Sequence, residues 1–331
     1  MLRNRWTRYG IIVFVTALMV GGALSWWAAS EIASPSRRIL QDYHEEFLAH
    51  PQQHDVSLTW FHLSDGTPCL VAEPIAQPIV GKRGSRIRQQ LQAESVTLAR
   101  QGEIIGTLVL VHGRRGRKED YLLIAERFTA VGFRCIIPDM PGHGEHPEAM
   151  TRYGVLEADL PALALREASA RLGFHAQPAG LMGISMGGSV SVHAAAQDPS
   201  LWGALVIVSS FDALQPVILQ QASARVGPWL GGLWADTAAA LYESRTGTAL
   251  SAIQPAAKAA TLTMPTLIAH GTIDRVVPIA AGRRLYDALP EALEKRWVEI
   301  PRADHDNVLV TDFPIYATIA KWFLQYLRTR P

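Results

Sequence analysis

From Tyr9 to Ser30 the chain carries no charged side chain, and the centre of this run, IIVFVTALMVGGALSWWAA, is 19 residues long. That approaches the ~20 apolar residues a helix needs to cross the ~30 Å hydrocarbon core of a bilayer. Arg3, Arg5 and Arg8 precede the run, and Trp26 and Trp27 close it, where indoles favour a membrane interface. Three readings stay open: a signal anchor, a cleavable signal peptide ending in the small residues Ala28–Ser30, or a core helix, which would show a polar face. In both membrane readings the arginines keep the N-terminus in the cytoplasm. Residues after about 31 then lie outside it, periplasmic or extracellular, or secreted after cleavage near Ser30. No cysteine follows the run, which excludes a lipoprotein anchor.

Beyond residue 30 the pattern changes. Residues 31–55 are polar, helical around Ile39–Leu48, and read as a connector. Val56–Leu63 alternates and leads through Asp65-Gly66, a hairpin signal, to a return strand at Cys69–Ala72. Apolar runs at Thr107–Val111, Arg134–Pro138, Ala179–Gly183, Leu205–Ser209, Thr266–His270 and Arg296–Ile300 predict six more strands. Helical spacing over Tyr121–Val131, Glu157–Leu172, Met186–Gln197, Gly282–Leu289 and Tyr316–Leu327 predicts helices between and after them. Residues 74–100, with GKRGSRIR inside, read as irregular. Strands alternating with helices predict an α/β domain over 56–331, a mostly parallel sheet with helices on both faces.

Composition narrows the function. Among 331 residues, 48% are hydrophobic and 18% charged, which excludes disorder. The net charge of +1 leaves no electrostatic footprint for nucleic acid. Cys69 and Cys135, the two cysteines, are too few for a disulfide framework or a cysteine-rich zinc module, and both lie in apolar strands, where buried free thiols are expected.

Chemistry begins at Gly183-Ile184-Ser185-Met186-Gly187, a G-x-S-x-G between a predicted strand and a predicted helix. A serine on that sharp turn has its hydroxyl held clear of the sheet, beside the N–H groups that open the helix. Serine needs a base to act as a nucleophile. Among eleven histidines, His305 stands in a polar loop, RADHDN, directly after the last strand. The base needs a carboxylate to fix its tautomer. Asp274, in HGTIDRVVP after the Thr266–His270 strand, fits best. Asp212, Asp304 and Asp306 are its rivals. His143 and His146 have no third ligand at metal-binding spacing, so no metal and no cofactor is expected.

These segments together, LVLVHGRRG, CIIPDMPGHGEH, GISMGG, HGTIDRVVP and ADHDN, resemble the α/β-hydrolase superfamily in its esterase and lipase-like branch. The resemblance covers residues 56 to 328. It implies a Ser185, Asp274, His305 triad and an oxyanion hole formed by the backbone N–H groups of Met186 and Arg114. It also implies structural roles for His112, Asp139 and His143, and a small helical cap over about 211–262, apolar through Phe211, Trp229, Leu230, Leu233, Trp234, Leu241 and Tyr242. The implied activity is hydrolysis of a small-molecule carboxylic ester through an acyl-enzyme. Thioesterase, lipase or amidase chemistry on the same triad, or a non-catalytic binding role for the fold, are the alternatives. The basic loop Arg114-Arg115-Gly116-Arg117-Lys118 reads as a solvated loop balanced by Glu119 and Asp120, or as an attractor for an anionic substrate.

Overall fold

The computed structural model describes residues 2–76 and 81–327, with side chains from residue 7 onward. The Arg3 and Arg5 side chains, residues 77–80 of the irregular stretch, and residues 328–331 of the expected domain lie outside the described residues. The chain opens with helix α1 (Leu2–Ala33) and, after an extended segment, α2 (Asp42–Ala49). Strands β1 (Val56–His62) and β2 (Pro68–Pro74) form the expected hairpin, with Leu63 N–H donating to Thr67 O across the Asp65-Gly66 turn.

Helix α3 (Lys82–Ala93) follows, then β3 (Gly106–Val111), α4 (Leu122–Thr129), β4 (Phe133–Pro138) and α5 (Leu160–Leu172). Next come β5 (Ala179–Ile184), α6 (Met186–Gln197) and β6 (Ala204–Val208). Three helices, α7 (Leu214–Val226), α8 (Pro228–Thr246) and α9 (Pro255–Ala259), fill the expected cap region. The chain then returns through β7 (Thr266–Gly271), α10 (Ile279–Asp287), β8 (Lys295–Ile300) and α11 (Ile315–Tyr326).

The eight strands form one sheet in the order β1-β2-β4-β3-β5-β6-β7-β8. Pairing is antiparallel at β1–β2 and β2–β4 and parallel from β4 through β8. Every residue of β3, β4, β6 and β7 is buried. That explains why those strands read as continuous apolar runs rather than alternating ones: helices cover both faces of the parallel part. The loops at the C-terminal ends of β3, β5, β7 and β8 gather along one edge, where an open α/β sheet builds its site.

The structure differs from the sequence reading in three places. Residues 82–93, within the stretch read as irregular, form α3. Its buried face is only Gly84, Ile87 and Leu91, too thin an apolar stripe among cations to show as a pattern. The uncharged N-terminal run does not end clear of the domain: α1 continues to Ala33, and Ser25, Ala29, Ile32 and Ala33 are buried against it. In the cap, Phe211 and Tyr242 are buried, but Trp229, Leu230 and Leu233 face outward, the first 80% exposed.

Candidate active site

Ser185 sits between β5 and α6 with φ 53° and ψ −117°, a strained conformation for a residue with a side chain. The turn is possible because its neighbours lack Cβ atoms. A Cβ on Gly183 would lie 2.0 Å from Gly187 O, and one on Gly187 would lie 2.1 Å from Val111 O. The Ser185 N–H is tied to Val208 O at 2.9 Å, which anchors the turn to β6.

Three expected residues meet here. His305 Nε2 lies 3.0 Å from Ser185 Oγ, and His305 Nδ1 lies 2.8 Å from Asp274 Oδ2. An Nδ1–H donating to the carboxylate leaves Nε2 free to accept the hydroxyl proton. The Asp274 side chain is fully buried, and its other oxygen accepts N–H bonds from Val276 at 2.9 Å and Val277 at 2.8 Å. Two of its rivals are engaged elsewhere, and the third, Asp306, is exposed. Asp212 forms a two-pronged pair with Arg284 at 2.6 and 3.0 Å. Asp304 accepts the N–H groups of Asp306 and Asn307 within its own turn, while the Asp306 backbone closes that turn.

A residue that sequence reasoning passed over braces this arrangement. His270 is buried beside Asp274 at 3.5 Å, its Nε2 lies 2.9 Å from Val277 O, and burial lowers its pKa. Gly282 of α10 permits it, since a Cβ there would lie 2.2 Å from His270 Nδ1.

On the other side, Gly113 abuts the serine: a Cβ there would lie 3.5 Å from Ser185 Cβ. His112 holds that loop. Its Nε2 accepts the Met140 N–H at 3.0 Å and its Nδ1 lies 2.9 Å from Gly113 O, which fixes a neutral tautomer; burial also lowers its pKa. His143 packs on it at 5.3 Å, and burial brings its pKa down to about 3. Asp139, fully buried, accepts from the backbone N–H groups of Lys118 and Glu145 and from Lys118 Nζ at 3.0 Å. His146 bonds Thr67 Oγ1 and accepts the Glu148 N–H, so both its ring nitrogens are occupied. Cys69 and Cys135 are free and buried on adjacent strands, where burial pushes their thiol pKa values up.

The basic loop after β3 is balanced in part by Glu119, as expected, but its inner half is not solvated. Arg117 and Lys118 are buried, the former paired with Glu119 at 2.6 Å, the latter with Glu119, Asp139 and Glu145. Arg114 and Arg115 both bind the Glu31 carboxylate at the end of α1, Arg114 at 2.8 Å, and Arg114 also donates to Glu31 O. All four cations are answered by acids, and the acid for the outer two is a residue 83 and 84 positions away.

Ser185, Met186 and Arg114 share one cavity of about 360 Å³. Its walls are largely apolar: Phe211, Val217 and Ala235 from the cap side, and Trp27, Ala28 and Ile32 from the last turns of α1, which packs on α8. The Met186 N–H lies in the first turn of α6 and so has no acceptor within the helix.

Comparison with known proteins places this geometry in context. Residues 102–247 match the profile of a family described as serine aminopeptidase, S33. That span holds Ser185 and the loop after β3 but not Asp274 or His305. A monoacylglycerol lipase of Mycolicibacterium smegmatis is 26% identical over 224 residues, 55% of this chain and 75% of that one. An esterase of Pyrococcus furiosus superposes with a TM-score of 0.60 at 13% identity, covering 89% of this chain and 99% of its own. A bacterial membrane phospholipase A superposes with a TM-score of 0.54 at 16% identity, covering 98% of this chain and 100% of its own. At these identities the likeness to the solved structures lies in the fold.

Proposed function

We propose that this α/β-hydrolase of the esterase and lipase-like kind is a membrane-anchored carboxylic ester hydrolase with its catalytic domain outside the cytoplasm. The observation that carries the reading is the unbroken relay from buried Asp274 through His305 to the Ser185 hydroxyl, at 2.8 and 3.0 Å, opening on an apolar cavity. Ser185 Oγ attacks the ester carbonyl carbon while His305 Nε2 takes its proton, and Asp274 stabilises the imidazolium. The Met186 and Arg114 backbone N–H groups hold the developing oxyanion. His305 then protonates the departing alkoxide as the carbon–oxygen bond breaks, leaving an acyl-enzyme. Water repeats the sequence and releases the acid. The chemistry requires only these residues and water.

The relatives named as lipases and esterases support an ester as the substrate. The aminopeptidase description of the matching profile favours one second reading, amide hydrolysis on the same residues. Membrane residence is supported by α1, in which Thr7–Ala33 is long and apolar enough to span a bilayer.

The test is steady-state turnover of purified full-length protein on esters, thioesters and amides sharing one acyl group. The reading expects esters to give the highest kcat/KM and Ser185→Ala to lose turnover on all three. Amide preference moves the protein to the second reading. Parent-level turnover in Ser185→Ala overturns both. Retention of the intact chain in carbonate-washed membranes, with digestion from the non-cytoplasmic side only, tests the anchor. A soluble, shortened protein outside the cytoplasm means cleavage near Ser30 instead.

A further inference from the structure

Four residues from the last two turns of α1 line the same cavity as Ser185: Trp27, Ala28, Glu31 and Ile32. Positions i, i+1, i+4 and i+5 share one face of a helix, so α1 turns a single face to the reacting serine. That face is held in place by direct bonds. Ala33 O accepts the Thr151 N–H at 2.8 Å, Ile32 O accepts the Tyr153 hydroxyl at 3.1 Å, and Glu31 binds Arg114. Behind it, Arg245 of α8 donates to Ser30 Oγ at 2.6 Å and lies over the Trp26 ring. A helix serving only as a tether needs no such attachments.

We propose that the end of α1 is a substrate-binding wall, which bounds the acyl group of the substrate and sets the chain length that Ser185 accepts. The inference rests on the ester hydrolase reading above. With the carbonyl at Ser185 between the Met186 and Arg114 amides, the acyl chain runs into the apolar cavity that α1 lines together with α7 and α8. Ala28 is the smallest of the four wall residues, so space beside it is space for methylenes. The uncharged run ends at Ser30, so this wall lies where a spanning helix leaves the hydrocarbon. An amphiphilic ester, whose carbonyl rests at that boundary with its chain in the bilayer, meets the cavity at its own depth.

The test uses the full-length chain in detergent micelles with p-nitrophenyl esters from acetate to decanoate. Ala28→Trp narrows the cavity from the α1 side. One methylene gained or lost in an apolar pocket is worth roughly 10–200-fold in kcat/KM. The decanoate-to-acetate ratio of kcat/KM should therefore fall at least about 10-fold relative to the parent. A ratio within about two-fold of the parent overturns the inference while leaving ester hydrolysis intact. Should the indole prevent folding, Trp27→Ala carries the same test. It widens the wall and should move the optimum to longer chains, and an unmoved optimum overturns the inference. A parent that turns over no ester in the series overturns the ester reading instead.

Discussion

The serine relay and the junction of α1 with the loop after β3 meet at one cavity, but they are assembled on different principles. The relay uses residues whose places are set by short stretches of sequence: a turn that only glycines permit at Gly183 and Gly187, an acid loop that bonds its own Asp274, and a histidine loop closed by Asp304 and Asn307. The junction depends on distant partners, Glu31 with Arg114 and Arg115, and Tyr153 with Ile32. Within the loop the contrast recurs. Arg117 and Lys118 are sunk in the domain among Glu119 and Asp139, while Arg114 and Arg115 stay half-exposed at the mouth. Local motifs build the reacting atoms, and long-range contacts shape what surrounds them.

The two regions part most sharply at the acid. Asp274→Asn should keep the geometry but favour the wrong His305 tautomer, lowering kcat on the order of 10⁴. Asp212→Asn, which releases only the surface pair with Arg284, should cost less than about 10-fold. Steady-state rates of the two purified variants decide it. A severe Asp212 variant with a mild Asp274 variant moves the acid to the loop after β6.

Lys118 and Glu31 separate the two halves of the loop. Lys118→Met strands buried Asp139 without its cation, and breaking a buried pair in this way costs about 3–5 kcal/mol. The expected result is a clear drop in the thermal midpoint. Glu31→Gln acts on half-exposed pairs, each worth only ~0–1 kcal/mol, so the midpoint should barely move. Its effect should fall on kcat instead. Loss of one oxyanion donor costs roughly 10²–10³, and a loosened Arg114 backbone should cost a fraction of that, about 10-fold, with KM little changed and Glu31→Asp restoring part of the rate. Equal loss of stability in both variants contradicts the division.

A separate test is a pH dependence carried by the histidines that support the loop. Burial holds His112 and His143 below their ordinary pKa near 6.5, His143 at about 3. The unfolded chain therefore binds more protons than the folded one below pH ~6.5. Stability that is fully present above that pH is lost as pH falls towards 3, at up to ~1.4 kcal/mol per unit per histidine. Thermal midpoints across this range should decline in the parent and decline less in His143→Gln. An identical slope in both removes His143 from the account.

What was legible in the sequence follows the same division. All eight strands were readable because each is a short apolar or alternating run between turn residues. The meeting of Ser185, Asp274 and His305 was readable because each stands at the end of such a strand in a loop of recognisable composition. Glu31 was not, since nothing within reach in the chain marks it as the partner of Arg114. His270 was hidden because a histidine inside a strand signals nothing until Asp274 folds against it. Helix α3 was hidden by its cations, and the docking of α1 was hidden because an apolar helix facing lipid and one partly facing a domain have the same composition. A chain beginning at residue 31 would lack Trp27 and Ala28, which line the cavity.

Everything above turns on Ser185 being an activated nucleophile. The most direct measurement is covalent labelling of the full-length protein with a fluorophosphonate, followed by mapping of the modified peptide by mass spectrometry. One adduct is expected, on Ser185, whose rate of formation collapses in His305→Ala although that variant remains folded. An unlabelled Ser185, or one labelled equally fast without His305, would contradict it.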